Sequence, residues 1–286
     1  MRAAPAGERP SRPGRGGAGW ASWRAVALLL GALVMVFPLY WMVVTALSDS
    51  GSLTSGPLRL WPQHPGLEAF RRAFGLLPFG RFFLNSALIA VVAMALSVSL
   101  NLLAGYVLAK YRFRGRQVVL VLVLSALMIP VQVVMVPQFQ LVAGLGWVDS
   151  YWSVIIPRAA EAFGIFLCRQ FMLGIPDEVL EAARLDGAGH LRLFWSVVLP
   201  MSRPLIAVLV ILTFMYRWNE FAWPLIVLND QQLFTVPIGL AFLQGQYGTD
   251  YPALMGMALL TTLPVLAVFA LFQRQFVEGV ARSGLR

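Results

Sequence analysis

The sequence predicts an all-α polytopic membrane protein with six transmembrane helices, and three observations predict it. Of its 286 residues 59% are hydrophobic and only 12% are charged, whereas soluble domains carry about 25% charged residues. Mean hydropathy is +0.74, and the apolar residues run in long blocks rather than in alternation. The net charge of +9 is carried by Arg residues and the single Lys110, placed mainly in short stretches that flank the apolar blocks. That placement is a topology signal and argues against nucleic acid as a partner.

A hydrocarbon core about 30 Å thick needs roughly 20 apolar residues per helix. Residues 1–24 are rich in Arg, Gly and Pro and lack apolar periodicity, so a disordered basic tail is expected there. The string Gly14-Arg15-Gly16-Gly17-Ala18-Gly19 has dinucleotide-loop spacing, but no strand precedes it and no βαβ unit follows. One transmembrane domain is expected over residues 25–286. Its first span, about Ala25 to Leu47, is too long for the apolar stretch of a signal peptide. The second covers Phe82 to Ala109, the third Gln117 to Val136 and the fourth Ser150 to Cys168. Pro157, Arg158 and Glu161 make the fourth the weakest. The fifth covers Pro204 to Leu228 and the sixth Ala253 to Phe272. Pro130, Pro137 and Gly144 are expected to kink or end the third span. Ser97 and Asn101 are candidates for bonds between helices.

Orientation follows from the basic residues. With the N-terminus inside, sixteen of the 22 Lys and Arg lie in inner segments, and four (Arg59, Arg71, Arg72 and Arg81) in the first outer loop. The later outer loops hold none, and Arg158 and Arg217 fall within spans. Both termini are therefore expected in the cytoplasm.

The segment at about 171–203, between the fourth and fifth spans, is too polar to cross a membrane and falls on the cytoplasmic side. Pro176 fits a first helical position, with Asp177 and Glu178 in the first turn, where the helix dipole favours anions. Val179, Ala182 and Ala183 form a slim apolar stripe, and Gly187 is placed to end the helix in a left-handed cap. A second short helix is expected from His190 to Val198, stopped by Pro200. The product is a helix–turn–helix elbow carrying four of the chain's 13 acidic residues.

Within that elbow, Glu181-Ala182-Ala183, Asp186-Gly187-Ala188 and Leu199-Pro200 resemble the EAA loop of ABC importer permeases. With Ile175-Pro176 before it and Pro204 after, the string is similar to the carbohydrate-uptake branch, the maltose-permease-like family. Trp218-Asn219-Glu220, Trp223-Pro224, Gln244-Gly245-Gln246-Tyr247-Gly248 and the tail Gln273 to Gly279 extend the likeness. The resemblance implies a permease of a binding-protein-dependent sugar importer in the bacterial cytoplasmic membrane. It implies a heterodimer with a second permease, two ATP-binding subunits that use ATP and Mg, and an extracytoplasmic solute-binding protein. It also implies that Glu181, Ala182, Ala183, Asp186, Gly187, Ala188, Leu199 and Pro200 couple the chain to the ATPase.

No cofactor is expected on this chain. A phosphate-binding loop needs Gly-Lys-Ser/Thr, and the sole lysine follows Ala109. One Cys and two His leave no metal cluster and no disulfide, and no Ser/His/Asp set suggests catalysis, so a membrane enzyme is not expected. An ion-coupled secondary transporter is the alternative class, and it leaves the acidic elbow unexplained. Its only candidate proton carriers within the membrane are Glu161 and Glu220, each three residues from an arginine. Trp218, Asn219 and Glu220 are candidate translocation-path residues, since aromatic faces and amide or carboxyl groups suit hydroxyl-rich rings.

Overall fold

The computed structural model describes residues 17–48, 60–62, 65–245 and 248–283. Helix α1 (Gly17–Ala46) begins inside the expected tail, so residues 17–24 are helical, while 1–16 lie outside the described residues. Its lipid-length stretch carries Leu28, Val34 and Met35 on open surface, and only Val44, Thr45 and Ala46 are buried. Helix α2 (Glu68–Leu76) is a short amphipathic segment that the apolar count passes over. It packs through Ala69 and Ala73, and Arg72 grips Asp250 through Nε at 2.8 Å.

The axis of the fold is α3 (Phe79–Lys110), 32 residues long and apolar around its circumference. Next come α4 (Arg116–Leu127) and α5 (Val131–Gly144), which are bent by 107°. Pro130 makes that bend: it holds extended backbone (φ −59°, ψ 133°) and has no N–H to continue the ladder. The third expected span is therefore a broken one, while Pro137 sits within α5 and Gly144 ends it.

The fourth span is discontinuous. Helix α6 (Tyr151–Ile155) runs into a tight turn, Ile156–Arg158, and the chain leaves helical geometry until α7 (Ala162–Leu173). The elbow consists of α8 (Asp177–Leu185), α9 (His190–Leu193), a wide π turn at Phe194–Val198 and α10 (Leu199–Met201). Pro200 does not stop this run as expected. The wide turn before it reorganises the carbonyls that the proline cannot serve, and the chain breaks instead at Ser202 with a bend of 79°. Pro176 is also displaced by one position, lying just outside α8 in extended backbone.

Helix α11 (Arg203–Trp218) carries the fifth span, but the helix ends at Trp218 and resumes only as the short α12 (Ala222–Val227). Then come α13 (Val236–Phe242), a two-residue hairpin of β1 (Gln244–Gly245) and β2 (Gly248–Thr249), and α14 (Tyr251–Ser283). Gln246 and Tyr247 lie outside the described residues. Among the described residues four helical stretches are long and apolar enough to cross a membrane, or up to six if each bent pair is one span. The chain is an all-α polytopic membrane protein.

Among the described residues the packing has three apolar centres, a small one of Ala90, Phe214 and Trp218 and two larger ones. At the α2 end of the bundle, Phe79, Phe82, Trp223, Ile238 and Met257 are fully buried, with α3, α12, α13 and α14 around them. At the elbow end, Leu102, Tyr106, Cys168, Met172, Leu180, Leu193 and Phe194 form the second. Helices α3 and α7 touch there because Gly105 has no side chain. A Cβ on Gly105 would lie 2.3 Å from the Cys168 Cβ.

Candidate functional site

Two features stand out, one at each end of α7. The first is the elbow. Its turn closes as a Schellman motif: the Gly187 N–H donates to the Arg184 carbonyl and the Ala188 N–H to the Ala183 carbonyl, both at 3.0 Å. Gly187 holds φ +82°, the left-handed position foreseen for it.

The expected apolar stripe is only partly right. Leu180 seals α8 onto the bundle and Ala183 is half-buried, whereas Val179 and Ala182 face outward. Leu185 is 89% exposed, and Leu191 and Trp195 are exposed on the following run. Glu181, Asp186, Gly187 and Pro200 are exposed too, while Ala188 and Leu199 are half-buried. The elbow thus presents an apolar outer rim that no described residue covers, with acidic groups set into it.

Its base is locked. The Lys110 Nζ donates to the Ile175 carbonyl and to Asp177 Oδ1, both at 2.6 Å. The lysine side chain is buried, and its ammonium holds the Asp177 carboxyl below the usual carboxylate range. Tyr111 Oη lies 2.8 Å from His190 Nδ1, tying the second half of the elbow to the end of α3.

The second feature is the break in the fourth span. Arg158 and Glu161, and Arg217 and Glu220, suggested two pairs at i, i+3 spacing. The structure instead crosses them. Arg158 Nη2 meets Glu220 Oε1 at 2.9 Å, and Arg217 Nη2 meets Glu161 Oε1 at 2.5 Å. The local Arg217–Glu220 pair survives at 3.3 Å, and no Arg158–Glu161 pair forms among the described residues. The extended backbone of Glu161 explains this, because helical spacing no longer applies across the break.

Arg217, with a side chain only 1% exposed, also donates to the Arg158 carbonyl at 2.9 Å. The broken backbone is further held by Asn101, whose Oδ1 accepts the Glu161 N–H at 3.1 Å and whose Nδ2 donates to Ser97. The expected interhelical bond is therefore present, made by Asn101 alone.

A cavity of about 650 Å³ opens beside the break, lined by Gln138, Arg158, Glu161, Phe163, Thr213 and Tyr216 among others. A neighbouring one of about 530 Å³ shares Val131, Arg158, Leu212 and Tyr216 and adds Asn219 and Glu220. Trp218 does not line either. It is buried against Phe214 and Phe83, with its indole N–H donating to the Thr261 carbonyl at 3.0 Å. The sequence offers it as a candidate for the path because aromatic faces suit sugars, and on α11 its side chain is directed inward. Conversely, Gln138 and Tyr216 were missed. Gln138 gave one signal, an amide next to Pro137 in an apolar block.

Both glutamates within the bundle are engaged by arginine, which leaves neither as a free proton carrier. No cluster of His, Cys, Asp and Glu suited to a metal occurs among the described residues.

Comparison with known proteins gives a consistent picture. Residues 101–280 match the family described as binding-protein-dependent transport system inner membrane component. The arabinooligosaccharides transport system permease protein AraQ of Bacillus subtilis (strain 168) is 34% identical over 259 residues, covering 89% of this chain and 92% of that protein. The sn-glycerol-3-phosphate transport system permease protein UgpE of Yersinia enterocolitica is 35% identical over 271 residues, covering 90% and 95%. A chain of a bacterial ABC transporter involved in the import of the acidic polysaccharide alginate has the same fold. Its TM-score is 0.80 at 23% identity, with 93% of this chain and all of that one covered.

Proposed function

The chain belongs to the binding-protein-dependent transport system inner membrane components, and on that premise we propose that it carries a saccharide or polyol across the bacterial cytoplasmic membrane, driven by a separate ATPase that grips the elbow. The observation that carries this reading is the elbow's uncovered rim. Val179, Ala182 and Leu185 recur on one face of α8, rigidly held from beneath by Leu180 and Lys110. Glu181 stands on that helix, exposed and without an ion pair among the described residues. A slim, stiff projection with an apolar rim and unpaired acidic groups suits a cleft on another protein better than water.

The assembly is then a pair of permeases, two ATP-binding subunits using ATP and Mg, and a solute-binding protein on the outer side. Asn219 and Glu220 face the second cavity and belong to the path, with Trp218 supporting them from behind. No ATP is bound by this chain, and no reaction is catalysed by it.

The test is Gly187→Asp. Space is open around this glycine, so no clash opposes the new side chain, and a left-handed residue with a side chain costs about 1–2 kcal/mol. A second anion beside Asp186 at the helix C-terminus adds about 0.3–1 kcal/mol. ATP-driven uptake is expected to fall about tenfold or more, with the chain still inserted and present in normal amount. Undiminished uptake in a well-expressed variant refutes the elbow as the coupling element.

A further inference from the structure

We propose that Lys110 is the positioning residue of the coupling step: it pins the joint between α7 and α8 to the end of α3, so that a push on the elbow moves the bundle instead of bending the joint. The proposal deepens the transport reading and rests on it.

The joint is weak without a pin. Between Leu173, the last residue of α7, and Asp177, the first of α8, lie only Gly174, Ile175 and Pro176. Pro176 holds extended backbone at φ −60° and ψ 134° and has no N–H, so no hydrogen-bonded ladder runs from one helix into the next. Helix α8 buries only Leu180 of its nine residues, and one side chain does not fix the angle of a helix.

Lys110 supplies a contact on each side of the proline. Its ammonium donates to the Ile175 carbonyl and to Asp177 Oδ1, both at 2.6 Å. The next residue, Tyr111, reaches His190 at the start of α9, with Oη 2.8 Å from Nδ1. Consecutive residues at the end of one helix therefore hold both halves of the elbow.

The lysine is not needed by its own helix. A basic residue in the last turn can serve the terminal carbonyls. Here Arg116 does so, donating through Nε to the Leu108 carbonyl at 2.9 Å and through Nη2 to the Ala109 carbonyl at 3.3 Å. Nor does the ion pair suit a purely stabilising role. The lysine side chain is 6% exposed and has given up its hydration, whereas Asp177 is 74% exposed and attracts it through water. Such a pair adds little to stability, but it fixes a geometry.

With the joint pinned, α3, α7 and α8 move as one body, since Gly105 already lets α3 and α7 touch. That body carries Phe163 on the wall of the 650 Å³ cavity, whose other walls include Gln138 on α5 and Leu212 on α11. A push on the elbow then shifts α7 against those walls. With the pin removed, the same push is absorbed between Gly174 and Pro176.

The experiment uses the complete importer in lipid vesicles, with Phe163→Cys as a reporter. Phe163 is exposed on the cavity, and the native Cys168 is buried. Labelling by a methanethiosulfonate is timed before and after trapping with ATP, Mg and vanadate, and trapped nucleotide is counted in the same vesicles. In the reporter chain, trapping is expected to change the labelling rate about fivefold or more. Lys110→Met added to the reporter is expected still to trap nucleotide, with the response reduced to less than about twofold. Asp177→Ala, at an exposed position, frees only the α8 side and is expected to give an intermediate response. It decides the matter if Lys110→Met does not assemble. A full response in Asp177→Ala or in Lys110→Met overturns the proposal. So does a loss of trapping in proportion to the loss of response, which is the result of a merely structural lysine. A reporter that traps nucleotide without any change in labelling overturns it as well. A reporter chain that traps no nucleotide removes the transport reading instead.

Discussion

Arg217→Met isolates the charge clamp at the break. The guanidinium is almost wholly buried and makes three bonds, to Glu161 Oε1 at 2.5 Å, Glu220 Oε2 at 3.3 Å and the Arg158 carbonyl at 2.9 Å. Methionine fills similar volume without charge, so packing changes little. Glu220 keeps Arg158 at 2.9 Å, but Glu161 loses its only cation among the described residues. Removing one partner of a buried pair costs about 3–5 kcal/mol, and the low end applies here because Glu161 is 30% exposed and keeps part of its hydration. At roughly 2–4 °C per kcal/mol for a chain of this order of size, thermal unfolding should fall by on the order of 10 °C. Glu161→Gln added to Arg217→Met takes away the orphaned anion and should recover more than half of that fall. The coupling of directly bonded groups is about 0.5–3 kcal/mol in such cycles. The assay is the unfolding midpoint of the purified assembly for parent, both singles and the double. An Arg217→Met midpoint within about 2 °C of the parent, or a double no better than Arg217→Met, refutes the clamp.

Gly105→Ala tests the close approach of α3 and α7: its Cβ would sit 2.3 Å from the Cys168 Cβ and 2.9 Å from the Arg169 amide. Overpacking of this kind costs about 1–3 kcal/mol, read as a lower unfolding midpoint, and Cys168→Gly should restore part of it only, since the Arg169 backbone remains. The elbow latch predicts a pH effect of definite sign. The Asp177 carboxyl is depressed by Lys110, so its contribution is present above the unfolded value of about 3.9 and is lost as pH falls through the lower folded value. The parent should therefore lose thermal stability more steeply than Lys110→Met as pH falls below about 4, and equal slopes would show that the latch is not felt.

What was legible in the sequence follows how local the cause is. Gly187 was readable because a left-handed cap is decided by its own residue and the few before it. The long spans were readable because lipid imposes a length on apolar blocks. Pro200 misled because the stop it signals depends on the carbonyls upstream, and the π turn at Phe194–Val198 rearranged them. The spacing of Arg158 and Glu161 misled for a related reason, whereas the Arg217–Glu220 pair forms as spaced. Spacing of three implies adjacency only on a continuous helix, and Glu161 sits where the helix is interrupted. The burial of Trp218 was not legible because composition says nothing of which way α11 faces, a matter settled by Phe83 on α3 and Thr261 on α14.

The crossed pairing has a mechanical consequence that neither feature has alone. The elbow lies between α7 and α11, and each of these helices runs from it to the charge clamp. Helix α7 spans 12 residues from Leu173 back to Ala162, and α11 spans 16 residues from Arg203 to Trp218. At 1.5 Å per residue these are arms of roughly 18 and 24 Å. Their near ends are joined through the elbow, and their far ends by Arg217 on Glu161. Gly105 and Asn101 seat the first arm directly on α3, so it cannot slide freely. A displacement imposed on the elbow then reaches the cavity as a change in the angle between two rigid arms, concentrated where the backbone is already broken at residues 159–161. Interruption of the fourth span and burial of four charges, each costly in a membrane by itself, are both explained if this is where the motion is delivered.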